Sequence, residues 1–307
     1  MRRSPTAVTV IFCVKLCVIF NPGAGSVPDA DSARAQLQRL KPFRIRVTRR
    51  RGDAEKFARA AIRAGYDWIV TAGGDGTLNE VINGIARRGD KVRLGLVPLG
   101  TGNDFARSLG LPAEVDENID VLRSANTKRI DLVRVRSKRL RYFVNVSAGG
   151  FSGAVDEKLT PELKRAWGPL AYIRSAAAAL PKLQAYRTEI LLDDKERLSL
   201  DLYNVVIGNG RFVAGGLPIA PEADPSDGWL DVILIPNHPA PKIALLAGEM
   251  LVGKHLHDAA IVFRRAKKIA VRARPRMWFN VDGEPVGNAP AVFQILPRAL
   301  NFVVPKR

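Results

Sequence analysis

Two cysteines and three histidines in 307 residues exclude a disulfide framework and a Cys-built zinc site, and leave little for a histidine-rich metal centre. Aromatic residues make up only 7% of the chain, and no run of them is interleaved with its basic stretches, which argues against a nucleic-acid partner. The longest uncharged apolar run near the start, Ala7 to Val14, is far too short to span a bilayer. Neither the Walker pattern GxxxxGK[ST] nor GxGxxG occurs. Repeats and low-complexity segments are missing as well, and 47% hydrophobic content excludes global disorder. The expectation is a soluble globular protein whose length favours two domains.

Arg2 and Arg3 ahead of Ala7–Val14 imitate a secretory signal. Lys15 interrupts the run, and no small-x-small cleavage site precedes Asn21-Pro-Gly-Ala-Gly. Residues 1–14 therefore read as a frayed extension or an early start. Cys13 and Cys17 face the same way at strand spacing and read as buried thiols.

What the chain has in excess is positive charge: 48 Lys and Arg against 30 Asp and Glu, a net +18. Arg39–Arg51 and Arg264–Arg276 each hold seven basic residues and no acid; Arg123–Arg141 holds eight with one acid, Asp131. Outside these three segments the chain is slightly acidic. Solvated faces are the plain explanation. The functional one is an anionic lipid surface or a phosphorylated ligand, with each exposed cation near such a surface worth ~1 kcal/mol.

The first third alternates strands (Lys15–Phe20, Phe43–Thr48, Asp67–Ala72, Val92–Pro98) with helices, as in a parallel doubly wound sheet. The helices are Asp29–Leu40, one capped by Asp53 with Phe57, Ala61 and Ala64 on a face, one with Leu78, Val81, Ile82 and Ile85 on a face, and one starting at Phe105. After about Ile130 strands dominate: Leu132–Arg136, Tyr142–Ser147, Thr188–Leu192, Leu198–Ile207, Trp229–Ile235, Ile269–Ala273 and Met277–Val281, with helices only at Pro161–Leu180 and Lys242–Val252. This divides the chain into residues 1–130, a doubly wound α/β domain, and 131–307, an antiparallel β-rich domain. The tail 291–307 is strand-like and free to return to either.

Chemistry concentrates in Thr71-Ala-Gly-Gly-Asp-Gly-Thr-Leu-Asn-Glu, straight after a strand and opening a helix. Gly73, Gly74 and Gly76 let the backbone approach a ligand, and the helix N-terminus offers free N–H groups that suit phosphate. Asp75 is repelled by phosphate, so it must act through a metal, a water or a substrate hydroxyl. Asn21-Pro-Gly-Ala-Gly and Leu99-Gly-Thr-Gly-Asn-Asp-Phe-Ala also end strands, which gathers three glycine turns at the carboxyl edge of the sheet. There Thr101 and Asn103 supply polar contacts, and Asp104 reads as an N-cap.

With these turns, Asn145–Phe151, Ile207–Arg211, Gly215-Gly216, Asp224–Asp231 and Phe279–Val286, the chain from Lys15 onward resembles the diacylglycerol kinase catalytic-domain family, most of all the YegS-like bacterial lipid kinases. The resemblance implies a Rossmann-like, phosphofructokinase-like α/β domain, a β-sandwich lipid-binding domain and an active site in the cleft between them. It implies ATP held by Asn21, Pro22, Gly23, Ala24, Gly25, Thr48, Gly73, Gly74, Asp75, Gly76, Thr77, Leu78, Asn79 and Thr101. It also implies Mg²⁺ held by Asp224, Asp227 and the carbonyl of Trp229, and a proton acceptor at Glu284, with Asp75 as the alternative base. Physically, Asp224-Pro-Ser-Asp is a turn with two hard oxygen donors, and Asp282-Gly283 is a tight hairpin able to aim Glu284 into the cleft.

The implied reaction moves the γ-phosphate of ATP to a hydroxyl of a diacylglycerol-, phosphatidylglycerol- or sphingoid-type lipid, on the cytoplasmic side of an anionic membrane surface. The chain departs from the family pattern in two places. Ala24 and Ser26 replace a serine and a basic residue, which leaves phosphate charge to Arg49, Arg50 or Arg51, and Ser152 stands where many relatives carry Asp. An NAD kinase-like enzyme and a non-catalytic lipid- or nucleotide-binding protein are the rival readings; Gly-Thr-Gly-Asn-Asp-Phe-Ala and Val-Asp-Gly-Glu-Pro speak against the first, intact Asp75 and Glu284 against the second. The acceptor lipid and the oligomeric state are not legible. Leu170, Ile173, Leu180 and Leu183 either line a lipid pocket or pack a core.

Overall fold

The computed structural model describes residues 14–25, 29–150, 184–288 and 290–306. Cys13, the expected helix Pro161–Leu180, Ser152 and the four candidate lipid-lining residues between Leu170 and Leu183 lie outside them.

Strands β1 (Leu16–Phe20), β2 (Arg44–Val47), β3 (Trp68–Gly73) and β4 (Arg93–Pro98) pair in parallel in the order β2-β1-β3-β4. β1 and β3 are apolar runs buried on both faces, as a parallel sheet covered by helices requires. Helices α2 (Asp53–Arg63) and α3 (Asp75–Ile85) pack on one face; α1 (Ala30–Gln38) and α5 (Val115–Ser124) cover the other. The expected stripe on α3 is real: Leu78, Val81, Ile82 and Ile85 are all buried, each contributing about 1.5–3 kcal/mol of burial.

Local details differ from expectation. The cap of α2 is Gly52, in the left-handed region at φ 86°, while Asp53 is the first helical residue and its carboxylate accepts from the Arg49 and Arg50 amides. Ala64 is exposed at the C-cap, and the buried face is Ala54, Ala58 and Ala61. The short α4 (Asp104–Ser108) is preceded by Asn103, so Asp104 is inside the helix rather than its cap.

The second part is antiparallel. β5 (Thr127–Arg136) pairs β6 (Leu140–Phe143). β7 (Val146–Gly150), β8 (Tyr186–Leu192), β9 (Glu196–Gly208) and β10 (Leu230–Pro236) are joined through β9, and α6 (Ala240–Leu251) follows. β11 (Val262–Ala266), β12 (Lys268–Arg274), and the hairpin of β13 (Phe279–Val281) with β14 (Glu284–Gly287) complete this part before β15. The single strand expected over Tyr142–Ser147 is broken at Val144 and Asn145, whose amides turn to Asp282 instead of a neighbouring strand.

The tail returns to both parts. β15 (Ala291–Val303) runs parallel to β4 and antiparallel to β5 and β12, and so makes one continuous sheet of the molecule. No helix among the described residues is long and apolar enough to cross a membrane.

Candidate active site

The loops that follow β1, β2, β3 and β4 meet at the carboxyl edge of the parallel sheet. Asn21 anchors the first: its backbone N–H donates to Ala72 O (2.9 Å), its Oδ1 accepts from Gly23 N (3.0 Å), and its Nδ2 donates to Thr77 Oγ1 (3.0 Å). The backbones of the β3 and β4 turns come into close contact at two glycines. A Cβ on Gly100 would lie 2.5 Å from the Gly74 Cα, so neither position has room for a side chain. A Cβ on Gly76, by contrast, would meet nothing within 4 Å, so this glycine leaves the mouth of the cleft open.

These loops enclose a cleft of ≈ 670 Å³, a size that suits a nucleotide. Asn21, Pro22, Gly23, Ala24, Gly25, Thr48, Gly74, Gly76, Thr77 and Glu284 all line it, from two parts of the chain more than 180 residues apart in sequence between Thr77 and Glu284. Arg49, Arg50 and Arg51 line it too, which brings three basic residues to the glycine turns. Glu284 reaches the cleft because Asp282 and Gly283, at φ 47° and 80°, form a two-residue hairpin turn with positive φ at both positions. Its carboxylate forms an ion pair with Arg51.

Other expected residues are placed differently. Leu78 is in the core, and the Asn79 amide donates to Asp282 Oδ2 (3.0 Å) and Tyr142 O, so neither side chain faces the cleft. Gly73 packs against Thr77, and Thr101 is exposed beside Gly25. The Asp75 carboxylate accepts from the Asp104 and Phe105 amides (3.1 and 3.2 Å) and thereby caps α4. Burial raises its pKa. Asp104 is pushed up to about 6 by burial and then by Asp75, and accepts from Gly215 N (3.1 Å). Asn103 closes its own turn on Gly100 N and O.

Two carboxylates carry roles that local reading misses. Glu80 accepts from Gly52 N (2.7 Å) and Ala54 N (3.1 Å), so α3 holds the start of α2 and with it the Arg49–Arg51 loop. Asp282 collects four N–H groups: Asn145 and Val146 on Oδ1 (3.2 Å each), Asn79 Nδ2 and Val144 N on Oδ2 (3.0 and 3.3 Å). It ties α3 to the β-rich part at the root of the Glu284 turn, and burial raises its pKa to about 6. A turn residue two positions before the expected base was the only sequence signal for it.

The expected metal set lies elsewhere. Asp224 lines a separate cleft of ≈ 650 Å³ with Arg107, Lys128 and Arg211. Its carboxylate accepts from Ser226 and pairs with Lys128 (3.5 Å), and that of Asp227 accepts from Trp229 N and pairs with Arg265. Oxygen donors of the right kind are present on one turn, but each carboxylate already has its own cation. Among the described residues no cluster of three or more His, Cys, Asp or Glu is placed to hold a metal ion.

Comparison with known proteins agrees along the chain. A diacylglycerol kinase catalytic domain model matches residues 15–135, and a YegS C-terminal NAD kinase beta sandwich-like domain model matches residues 144–304. The diacylglycerol kinase of Staphylococcus haemolyticus is 34% identical over 260 residues, covering 85% of this chain and 78% of that protein. The diacylglycerol kinase of Bacillus subtilis is 32% identical over 300 residues, covering 94% and 96%. A solved diacylglycerol kinase from Bacillus anthracis superposes with a TM-score of 0.74 at 22% identity, over 95% of this chain and 97% of that one. At that identity the likeness speaks for the fold.

Proposed function

The chain belongs to the diacylglycerol kinase family of lipid kinases, and from that premise we propose that it transfers the γ-phosphate of ATP to a hydroxyl of a membrane lipid in the cleft of Asn21–Gly25, Gly74–Thr77 and Glu284. The observation that carries this reading is the convergence of a carboxylate from the β-rich part on glycine turns and guanidiniums of the α/β part.

In the proposed reaction the β- and γ-phosphates rest on the Gly-turn backbone and the first turn of α3, whose N–H groups have no partner further up the helix. Arg49, Arg50 and Arg51 neutralise the phosphate oxygens. Arg51 pairs with Glu284, so phosphate that draws off this guanidinium frees the carboxylate. Glu284 then accepts the lipid hydroxyl proton as its oxygen attacks the γ-phosphorus and ADP departs. Asp75 serves by fixing α4 and the Gly100–Asn103 turn rather than as the base, since both its oxygens are taken by backbone amides.

Mg²⁺ would enter with ATP, where it offsets phosphate charge. Asp224, Asp227 and the carbonyl of Trp229 remain the proposed protein-held site, with Lys128 and Arg265 as the charges an ion must displace. The basic segments would hold the protein on an anionic bilayer from the cytoplasmic side, so activity on anionic micelles should fall as salt rises.

The test is transfer of labelled γ-phosphate to diacylglycerol, phosphatidylglycerol, ceramide, sphingosine and monoacylglycerol in mixed micelles. It is run with Mg²⁺ or EDTA, beside Glu284→Ala and beside NAD in place of lipid. A Mg²⁺-dependent labelled lipid that disappears in the variant supports the reading and names the acceptor. Labelled NAD, or ATP binding without any labelled lipid, overturns it.

A further inference from the structure

The kinase cleft uses one of the three basic segments. Within Arg264–Arg276, Arg264 pairs with Glu196, Arg265 with Asp227 and Asp231, and Lys268 with Asp194. Arg272, Arg274 and Arg276 line a third groove, of ≈ 620 Å³, together with Arg187. Among the described residues none of these four guanidiniums forms an ion pair or a side-chain hydrogen bond.

The register explains how they come together. On the exposed face of the antiparallel sheet, Arg274 of β12 stands directly opposite Arg187 of β8, and Arg272 directly opposite Glu189. Beyond β8, Asp201 and Ser199 of β9 continue the two rows. Four guanidiniums line the groove against one carboxylate, Glu189. Like charges directly across a strand pair destabilise a sheet unless something neutralises them; Asp201 does so for Arg187 from its β9 side, while among the described residues Arg274 has no acid directly across from it. The floor is closed by Met277 and Phe279, both buried, and at the wall the buried side-chain oxygen of Asn288 has no partner. Half a turn of that amide would present N–H donors to the groove.

We propose that this groove is a binding site for a phosphate monoester, either the head of an anionic lipid or a soluble phosphate ester. Guanidinium is planar, always charged, and matches two phosphate oxygens with two parallel N–H bonds. The groove offers no exposed aromatic ring in its lining on which a base could stack, which disfavours a single-stranded nucleic acid. It is also separate from the nucleotide cleft, with which it shares no lining residue. The site does not depend on the kinase reading, because binding alone tests it.

The full chain is sedimented with phosphatidylcholine vesicles carrying phosphatidic acid, and separately melted with glycerol 3-phosphate. Arg187→Gln/Arg274→Gln is compared with Arg34→Gln/Arg63→Gln, which removes the same charge from exposed positions on α1 and α2. Binding should fall roughly tenfold or more in the first pair and stay within about twofold in the second, as loss of a bidentate contact requires. Loss in the vesicle arm alone assigns lipid head groups, and loss in both arms assigns phosphate esters generally.

Equal weakening in the two double variants would overturn the site, as would no binding by the wild type or equal competition by a phosphodiester oligonucleotide.

Discussion

Replacing Asp282 with alanine removes the acceptor for four N–H groups at once. Three are backbone amides of Val144, Asn145 and Val146, which are 1%, 5% and 4% exposed. Each buried donor left without a partner costs about 1–3 kcal/mol, part of it recovered by water entering the space of the lost carboxyl. Alanine is also less at ease than aspartate at φ 47°, by an amount on the order of 1 kcal/mol. The expected loss is about 3–5 kcal/mol, which in a domain of this size lowers the melting temperature by roughly 6–15 °C. The Asp282→Asn variant keeps the left-handed turn and two acceptor bonds and should recover at least half of this. Because the same carboxylate roots the Glu284 turn, Asp282→Ala should cut kcat about 100-fold while the KM for ATP changes less than about threefold. Differential scanning fluorimetry and the micelle kinase assay read the two effects. An alanine variant that melts within about 2 °C of wild type with kcat within about threefold would refute the claim that Asp282 joins the two parts of the site.

Gly100→Ala forces a Cβ to within 2.5 Å of the Gly74 Cα, so ATP affinity by titration calorimetry should drop at least about tenfold, as overpacking of two backbones predicts. Glu80→Ala uncaps α2 from outside and should cost about 0.5–2 kcal/mol in urea unfolding, with a raised KM for ATP as the Arg49–Arg51 loop loosens. Burial holds Asp104, Asp231 and Asp282 up at about 6, so between roughly pH 4 and 6 the folded chain keeps protons that the unfolded chain has released. Unfolding free energy from this source is therefore greatest below the unfolded value and declines as pH rises through 6. Urea midpoints at pH 4.5 and 6.5 should show that decline, and Asp231→Asn should flatten it; a midpoint that rises across the window would contradict the burial argument.

What could be read from sequence was local. The glycine turns, the α3 stripe and the Asp282-Gly283 hairpin each depend on residues within a few positions of one another, where backbone conformation and period-3.6 burial leave a direct mark. The routing of carboxylates was not legible, because their partners are far along the chain. Asp282 meets Asn79 across 203 residues, Glu80 meets Gly52 across 28, and Asp75 meets Phe105 across 30. The Asp104 cap failed for the same reason: its side chain was taken by Gly215, 111 residues on, leaving Asn103 to close the turn. The break after Phe143 was hidden too, since nothing in Tyr142–Ser147 reveals that two of its amides would be claimed by a distant aspartate.

The position of Glu284 relative to the glycine turns rests on β15 as much as on any turn. This one strand sends Phe293 into the core of the β-rich part and Phe302 into the core of the α/β part. Phe293 meets Phe279, the first residue of the hairpin whose tip carries Glu284, edge-on at 5.5 Å. Phe302 meets Phe105, in the helix that opens after the Gly100–Asn103 turn, edge-on at 5.9 Å. The strand is hydrogen-bonded on both sides, to β4 and β12 as well as β5, and its pairing with β5 resumes after a register shift between Leu296 and Leu300. The two aromatic contacts therefore set the spacing between hairpin and turn, and Asp282 fixes the angle at which the hairpin reaches across. The proposed base and the backbone proposed to hold phosphate are thus positioned by long-range pairing in a strand that lines none of the cleft.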